Sequence, residues 1–163
     1  MSSVIPLPLI AHPATPCPAV SAIAVRVMPD TAGAITLRYT VTADPAAIRL
    51  PPAAPAGPAE GLWQHTCCEA FIAGKDCSAY REYNFSPSGQ WACYRFADYR
   101  QRDPAFTASA APHTVAQPRA DGFQLDATLP ASLLPPAPTL IIGLSVVIEA
   151  SDGSKSYWAL AHG

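Results

Sequence analysis

Apolar and polar residues alternate in two stretches near the start of the chain. Over 20–28, Ile23, Val25 and Val27 share one side. Over 35–41, Ile35, Leu37, Tyr39 and Val41 face one way, while Thr36, Arg38, Thr40 and Thr42 face the other. A period of two with β-branched residues is the mark of a half-buried strand. Between the two stretches, Pro29-Asp30-Thr31-Ala32-Gly33 has turn chemistry, so they predict a first hairpin.

The same reading continues downstream. A strand is predicted over 66–73. A hairpin follows, with arms 80–85 and 90–96 and the turn Ser86-Pro87-Ser88-Gly89, whose Pro at the second and Gly at the fourth position fit a type I turn. A further hairpin is predicted from 113–117 and 123–129 around Arg119-Ala120-Asp121-Gly122. Pro130 to Leu134 allow one helical turn, which the prolines at 135, 136 and 138 end. The continuous apolar run over 139–150 predicts a central, buried strand, and Ser151-Asp152-Gly153-Ser154 turns it into a last strand over 156–161. Residues 51–61 read as a Pro/Ala/Gly surface loop, in part polyproline II, and 100–112 as polar and irregular. Short strands separated by turns every 8–15 residues or so describe an all-β, antiparallel sandwich of the jelly-roll or immunoglobulin-like kind. The length, 163 residues, suits a single domain over 1–163.

Composition agrees. Nineteen residues are proline, more than twice the usual ~5%, and each proline inside a helix costs about 3 kcal/mol. Half the residues are hydrophobic, which argues against disorder. Net charge is −2, so no basic field exists for nucleic acid or anionic lipid, and no apolar run approaches the ~20 residues that span a membrane. The N-terminus has no basic n-region, and Pro6 and Pro8 break its apolar stretch. It reads as an extended lead-in of the mature protein, pinned by Val4, Ile5, Leu7 and Leu9. Five irregularly spaced cysteines do not make a disulfide framework, and free thiols point to the cytoplasm.

Phosphate loops, nucleophile elbows and H-E-x-x-H motifs are absent. His65-Thr66-Cys67-Cys68 is the most metal-like cluster, but adjacent cysteines on a strand point to opposite faces, so no metal or other cofactor is expected. Cys67 or Cys93 with His65 or His113 would be the raw material of a thiol nucleophile, and Glu69 with Glu82 that of a glycosidase; nothing local favours either, and no catalytic residue is assigned.

The informative region is 62–96, where Trp63, Glu69, Tyr80, Glu82, Asn84, Trp91, Tyr94 and Arg95 gather aromatic and hydrogen-bonding groups. Glu82 and Asn84, two apart, share a strand face. A type I turn with a glycine bulge at Gly89 sets Ala92, Tyr94 and Phe96 beside them and sends Tyr83, Phe85 and Trp91 to the other side; a two-residue loop would instead bring Trp91, Cys93 and Arg95. The turn chemistry favours the first. Such a face suits a polar ring-shaped ligand, stacked on an aromatic and hydrogen-bonded by fixed polar groups. A plainer reading competes with it. Trp63 is then a core or loop anchor, Glu69 and Glu82 are solvated or paired with arginines, and Asn84 braces the turn.

The stretches Leu62-Trp63-Gln64-His65-Thr66-Cys67-Cys68-Glu69 and Asn84-Phe85-Ser86-Pro87-Ser88-Gly89, with the late Ile148-Glu149 and Ser156-Tyr157-Trp158-Ala159-Leu160, resemble the DOMON-like domains of bacteria, which are similar to family-nine carbohydrate-binding modules. The resemblance covers most of the chain. It implies a β-sandwich that binds a small-molecule ligand, a saccharide or haem, without catalysis. It implies that Trp63 stacks on a sugar, that Glu69 contacts hydroxyls and that Asn84 joins them; Glu82 stands where such modules carry arginine. A second stacking tryptophan of those modules comes from beyond the 157–158 strand. For haem, the axial candidates are Met1, Met28, His12, His65, His113 and His162, and nothing in the sequence pairs them. A protein-interaction module using a sheet edge or the 51–58 loop is the third alternative.

Overall fold

The computed structural model describes residues 5–161. Nine longer strands run in chain order: β1 (Val20–Pro29), β2 (Ile35–Ala43), β3 (Cys67–Gly74), β4 (Tyr80–Phe85), β5 (Gln90–Asp98), β6 (His113–Arg119), β7 (Gly122–Leu129), β8 (Leu140–Ala150) and β9 (Lys155–Ala159). They form two sheets. The five-stranded sheet has the order Leu7–Pro8, β1, β2, β7, β6. The nine-stranded sheet has the order Gln101–Arg102, β5, β4, β3, β8, β9, Ile10–Ala11, with Ile48–Arg49 added to β8 and Gly57–Pro58 to β5. All pairings are antiparallel except the last, a short parallel rung of Gly57–Pro58 on Gln90 and Trp91. The fold is a β-sandwich.

Alternation decides which side chains fill it. Along β2, Ile35, Leu37, Tyr39, Val41 and Ala43 are buried and the residues between them half-buried, as the sequence pattern predicts. They meet Phe123, Leu125, Ala127 and Leu129 of β7 within their own sheet, and Cys68, Ala70, Ile72, Tyr83, Phe85, Val146 and Ile148 from the other. Each such large apolar side chain contributes roughly 1.5–3 kcal/mol by leaving water. On the outer side of the five-stranded sheet, Arg38 forms a two-pronged pair with Asp126, both bonds at 3.0 Å, and Thr36 bonds Thr128 at 2.9 Å. Tyr39 links the sheets, its hydroxyl donating to the Glu69 carbonyl at 2.7 Å.

The 86–89 turn has the expected form. Gly89 N–H donates to the Ser86 carbonyl at 3.0 Å and Ser86 N–H to the Gln90 carbonyl at 2.9 Å. Gly89 takes φ 97°, a left-handed conformation that glycine adopts without strain. The single helical turn after Pro130 is a 3-10 turn, Ala131–Leu133. β8 is central, between β3 and β9.

The lead-in differs from expectation. Leu9 is buried, but Ile5 is 71% and Leu7 37% exposed; Val4 lies outside the described residues. Leu7 and Pro8 are held by pairing with Val25 and Ala24 at the edge of the sheet, so backbone pairing rather than apolar burial fixes them. The 51–58 loop is mostly exposed and is tied to the 86–89 turn through Ala54 N–H on the Ser88 carbonyl at 3.0 Å.

Candidate ligand-binding site

β3 sends Cys68, Ala70 and Ile72 into the core, so Cys67, Glu69 and Phe71 take the outer face of the nine-stranded sheet. Register then assembles that face. Glu69 stands opposite Asn84 on one side and Ser145 on the other. Asn84 faces Ala92, and Ser145 faces Ala159. In the next row Phe71 lies between Glu82 and Gly143, and Glu82 faces Tyr94. This is the register the glycine-bulge turn predicts. It brings Glu69 and Asn84 together in a row that ends in alanine on both sides, with Glu82 in the adjoining row.

Residues 59–66 cross this face. Ala59 N–H bonds the Trp91 carbonyl at 2.9 Å, and Glu60 Oε2 accepts from the Tyr94 hydroxyl at 2.6 Å. The 3-10 turn Leu62–Gln64, entered through Gly61 at φ 71°, packs against β3, β4 and β5. His65 Nδ1 lies 3.0 Å from Glu149 Oε1, and the Thr66 hydroxyl donates to the Arg49 carbonyl at 2.6 Å while accepting Glu149 N–H at 2.9 Å. Trp63, on the crossing turn, is 53% exposed, which removes it from the core and makes it a solvent-facing aromatic.

The polar groups are not ordinary surface groups. Asn84 is fully buried, and neither its Nδ2 nor its Oδ1 makes a hydrogen bond. A buried polar atom without a partner costs ~1–3 kcal/mol, so such an atom calls for an explanation. Glu69 is pushed up to about 7, chiefly by burial; the Ser145 hydroxyl, donating to Oε1 at 2.7 Å, opposes this, and the charge of Glu82 adds to it. Glu82 is also raised by burial, with Asn84 and then Arg102 drawing it back. The Asn84 amide therefore acts on the Glu82 carboxyl without completing a hydrogen bond of its own. Near neutral pH, Glu69 exists in both protonation states, so it can donate or accept. The face thus offers carboxyl and carboxamide groups to a partner that both donates and accepts, as a hydroxyl does.

A cavity of about 370 Å³ lies beside β5 where the 57–60 and 101–108 segments meet it, walled by Glu60, Trp91, Tyr94, Arg102 and Phe106 among others. Arg102 lies over the Tyr94 ring at 4.1 Å and 3.7 Å from Glu60. Trp63, Glu69, Glu82 and Asn84 do not line it; Tyr94, the partner of Glu82 across the strands, connects the two. Sequence reasoning named Tyr94 and missed Glu60, Arg102 and Phe106. The one available signal was Arg102 and Phe106 lying within a dozen residues of the 62–96 cluster.

The other candidate chemistries scatter. Burial pushes the Cys67 and Cys68 thiols far up and the Cys93 thiol to about 12, so none is a thiolate at neutral pH. His113 sits on the edge of the five-stranded sheet, opposite Thr128, and Cys93 on the other sheet. Met28 likewise belongs to the five-stranded sheet and His65 to the approach to the nine-stranded one. Among the described residues no group of three His, Cys, Asp or Glu side chains is placed to hold a metal. Met1 and His162 lie outside them.

No family model matches the chain, and no curated protein matches it. Among solved structures, the chain is similar to a candidate carbohydrate-binding protein from Bacteroides uniformis ATCC 8492. The TM-score is 0.64 at 16% identity, covering 96% of this chain and 77% of that one. At this identity the likeness shows the shared fold.

Proposed function

We propose that this domain binds a saccharide, without catalysis, on the outer face of its nine-stranded sheet. The observation that carries the reading is Asn84: a buried carboxamide with no well-formed hydrogen bond, which steadies the Glu82 carboxyl and stands opposite Glu69. Such a group costs the free protein stability, and a ligand hydroxyl would complete it. Trp63 supplies the apolar platform for a sugar ring, and Glu82 takes hydroxyls from the solvent side. Glu69 and Asn84 become reachable when the 59–66 segment lifts from the face. Two of its ties there, Glu60 to Tyr94 and His65 to Glu149, are exposed side-chain contacts, while the Ala59 backbone bond and the buried Thr66 hydroxyl hold its two ends. Two supports come from outside the site: the carbohydrate-binding description of the Bacteroides uniformis neighbour, and the resemblance of the 62–69 and 84–89 stretches to DOMON-like domains and family-nine carbohydrate-binding modules.

Calorimetric titration with mono- and disaccharides, including amino-sugar cell-wall fragments, tests this. At least one sugar is expected to bind saturably. Trp63→Ala should weaken it at least about two- to tenfold, since an aromatic stack is worth ~0.5–1.5 kcal/mol beyond its buried area. Absence of saturable heat across the panel, or a Trp63→Ala protein that binds like the parent, overturns the proposal.

A further inference from the structure

On the opposite face of β4 and β5, Arg81 and Arg95 stand directly across from each other. Like charges in this relation repel; a long ion pair with Asp103 partly relieves Arg95, and the Phe106 ring and the Tyr83 hydroxyl partly relieve Arg81. Arg95 Nη1 is 3.9 Å from Asp103 Oδ2, beyond hydrogen-bond range. Arg81 gives one Nη1 hydrogen to the Leu133 carbonyl at 2.8 Å and otherwise lies 5.3 Å over the Phe106 ring. The carbonyl bond and the neighbouring Tyr83 hydroxyl fix the Arg81 guanidinium in place, and N–H donors remain for a ligand. Both arginines line a cavity of about 260 Å³ whose remaining walls are Gly74, Cys77, Ala79, Tyr80, Pro135 and Pro136. None of these residues carries a carboxylate. The cavity therefore joins two facing cations to an apolar corner, with no internal anion.

We propose that this cavity binds an oxyanion, a carboxylate or a phosphate, bridged between Arg81 and Arg95. A guanidinium fork matches two oxygens of either group. An anion placed here turns the cross-strand repulsion into attraction. The site is separate from the saccharide face, and neither proposal depends on the other.

NMR titration of the full chain, followed at backbone amides and arginine Nε–H groups, tests it with inorganic phosphate in one arm and sodium acetate in the other. Saturable shifts are expected at Arg81, Arg95, Gly74 and Cys77. Arg95→Gln should weaken binding about tenfold, the scale of one charge-assisted hydrogen bond. Arg81→Lys, which keeps the charge and loses the fork, should also weaken it. Tighter binding of phosphate assigns the site to phosphate groups, and equal or tighter binding of acetate assigns it to carboxylates. Non-saturating shifts spread over Arg26, Arg49 and Arg100 as well, or an Arg95→Gln protein that binds like the parent, overturn the proposal. If Arg81→Lys does not fold, Arg95→Gln decides the matter alone.

Discussion

Glu69→Gln should make the free protein more stable at alkaline pH and leave it nearly unchanged in acid. Glu69 titrates near 7 in the fold against 4.5 ordinarily, mainly because it is buried. Its folded-state pKa is raised, so between those values the folded chain holds the proton that the unfolded chain has released. Stability from this group is then greatest below about pH 4.5, falls as pH rises, and reaches its floor above about pH 7. At ~1.4 kcal/mol per pH unit of difference, the drop is about 3 kcal/mol. Glutamine cannot ionise, yet its Oε1 can still accept from the Ser145 hydroxyl, so the variant escapes the drop. Urea denaturation of parent and variant at intervals from pH 4 to 8.5 gives the difference directly, and groups common to both cancel. The gap should open through pH 5–7 to between ~1 and ~3 kcal/mol in favour of Glu69→Gln. A gap that stays flat with pH, or a variant less stable at pH 8, would refute the reasoning.

Three further outcomes follow from the same packing. Gly122→Ala should destabilise the fold by about 3 kcal/mol or more, because φ is +143° there and a Cβ would meet the Val41 carbonyl oxygen at 1.9 Å; an unshifted melting midpoint contradicts this. Tyr39→Phe removes the inter-sheet bond to the Glu69 carbonyl and should cost about 1 kcal/mol in urea denaturation, so no loss at all would mean the bond contributes nothing. Asn84→Leu should raise the free protein's stability by ~1–3 kcal/mol, by removing an unpaired buried amide, and weaken saccharide binding in the same preparation. A destabilised variant would show that the amide has a partner in solution.

Much of this architecture was legible because it depends on local rules. The 35–43 alternation needs only the period of two, and every second residue from Ile35 to Ala43 is buried as that period requires. The pairing of Glu82 with Tyr94 and of Asn84 with Ala92 needs only the turn between them: a proline at its second position and a glycine free to take positive φ. The lead-in failed the same test. Val4, Ile5, Leu7 and Leu9 are apolar, but apolarity does not say whether a segment lies over a core or along a sheet edge. The Leu7–Pro8 pairing with β1, which leaves Ile5 and Leu7 exposed, comes from a partner strand more than a dozen residues away.

The site illustrates the same limit more sharply. Spacing of two places Glu82 and Asn84 on one face, but whether that face is open water or a covered recess depends on what crosses it. The segment that crosses, 59–66, has no periodic pattern and looks like the tail of a proline-rich loop. Its course is set by the parallel rung of Gly57–Pro58 on β5 and by Glu60 meeting Tyr94, 34 residues on. Glu69 owes its altered acidity to burial and bonds a serine 76 residues away. Arg102 and Phe106 wall a cavity from a stretch that reads as irregular. In each case the residue type was visible, while its chemistry was created by long-range register. Trp63 marks the dividing line. Its sequence context fits an anchor and a platform equally well; its exposure on the crossing turn takes it out of the core, and sugar titration of Trp63→Ala tests the platform.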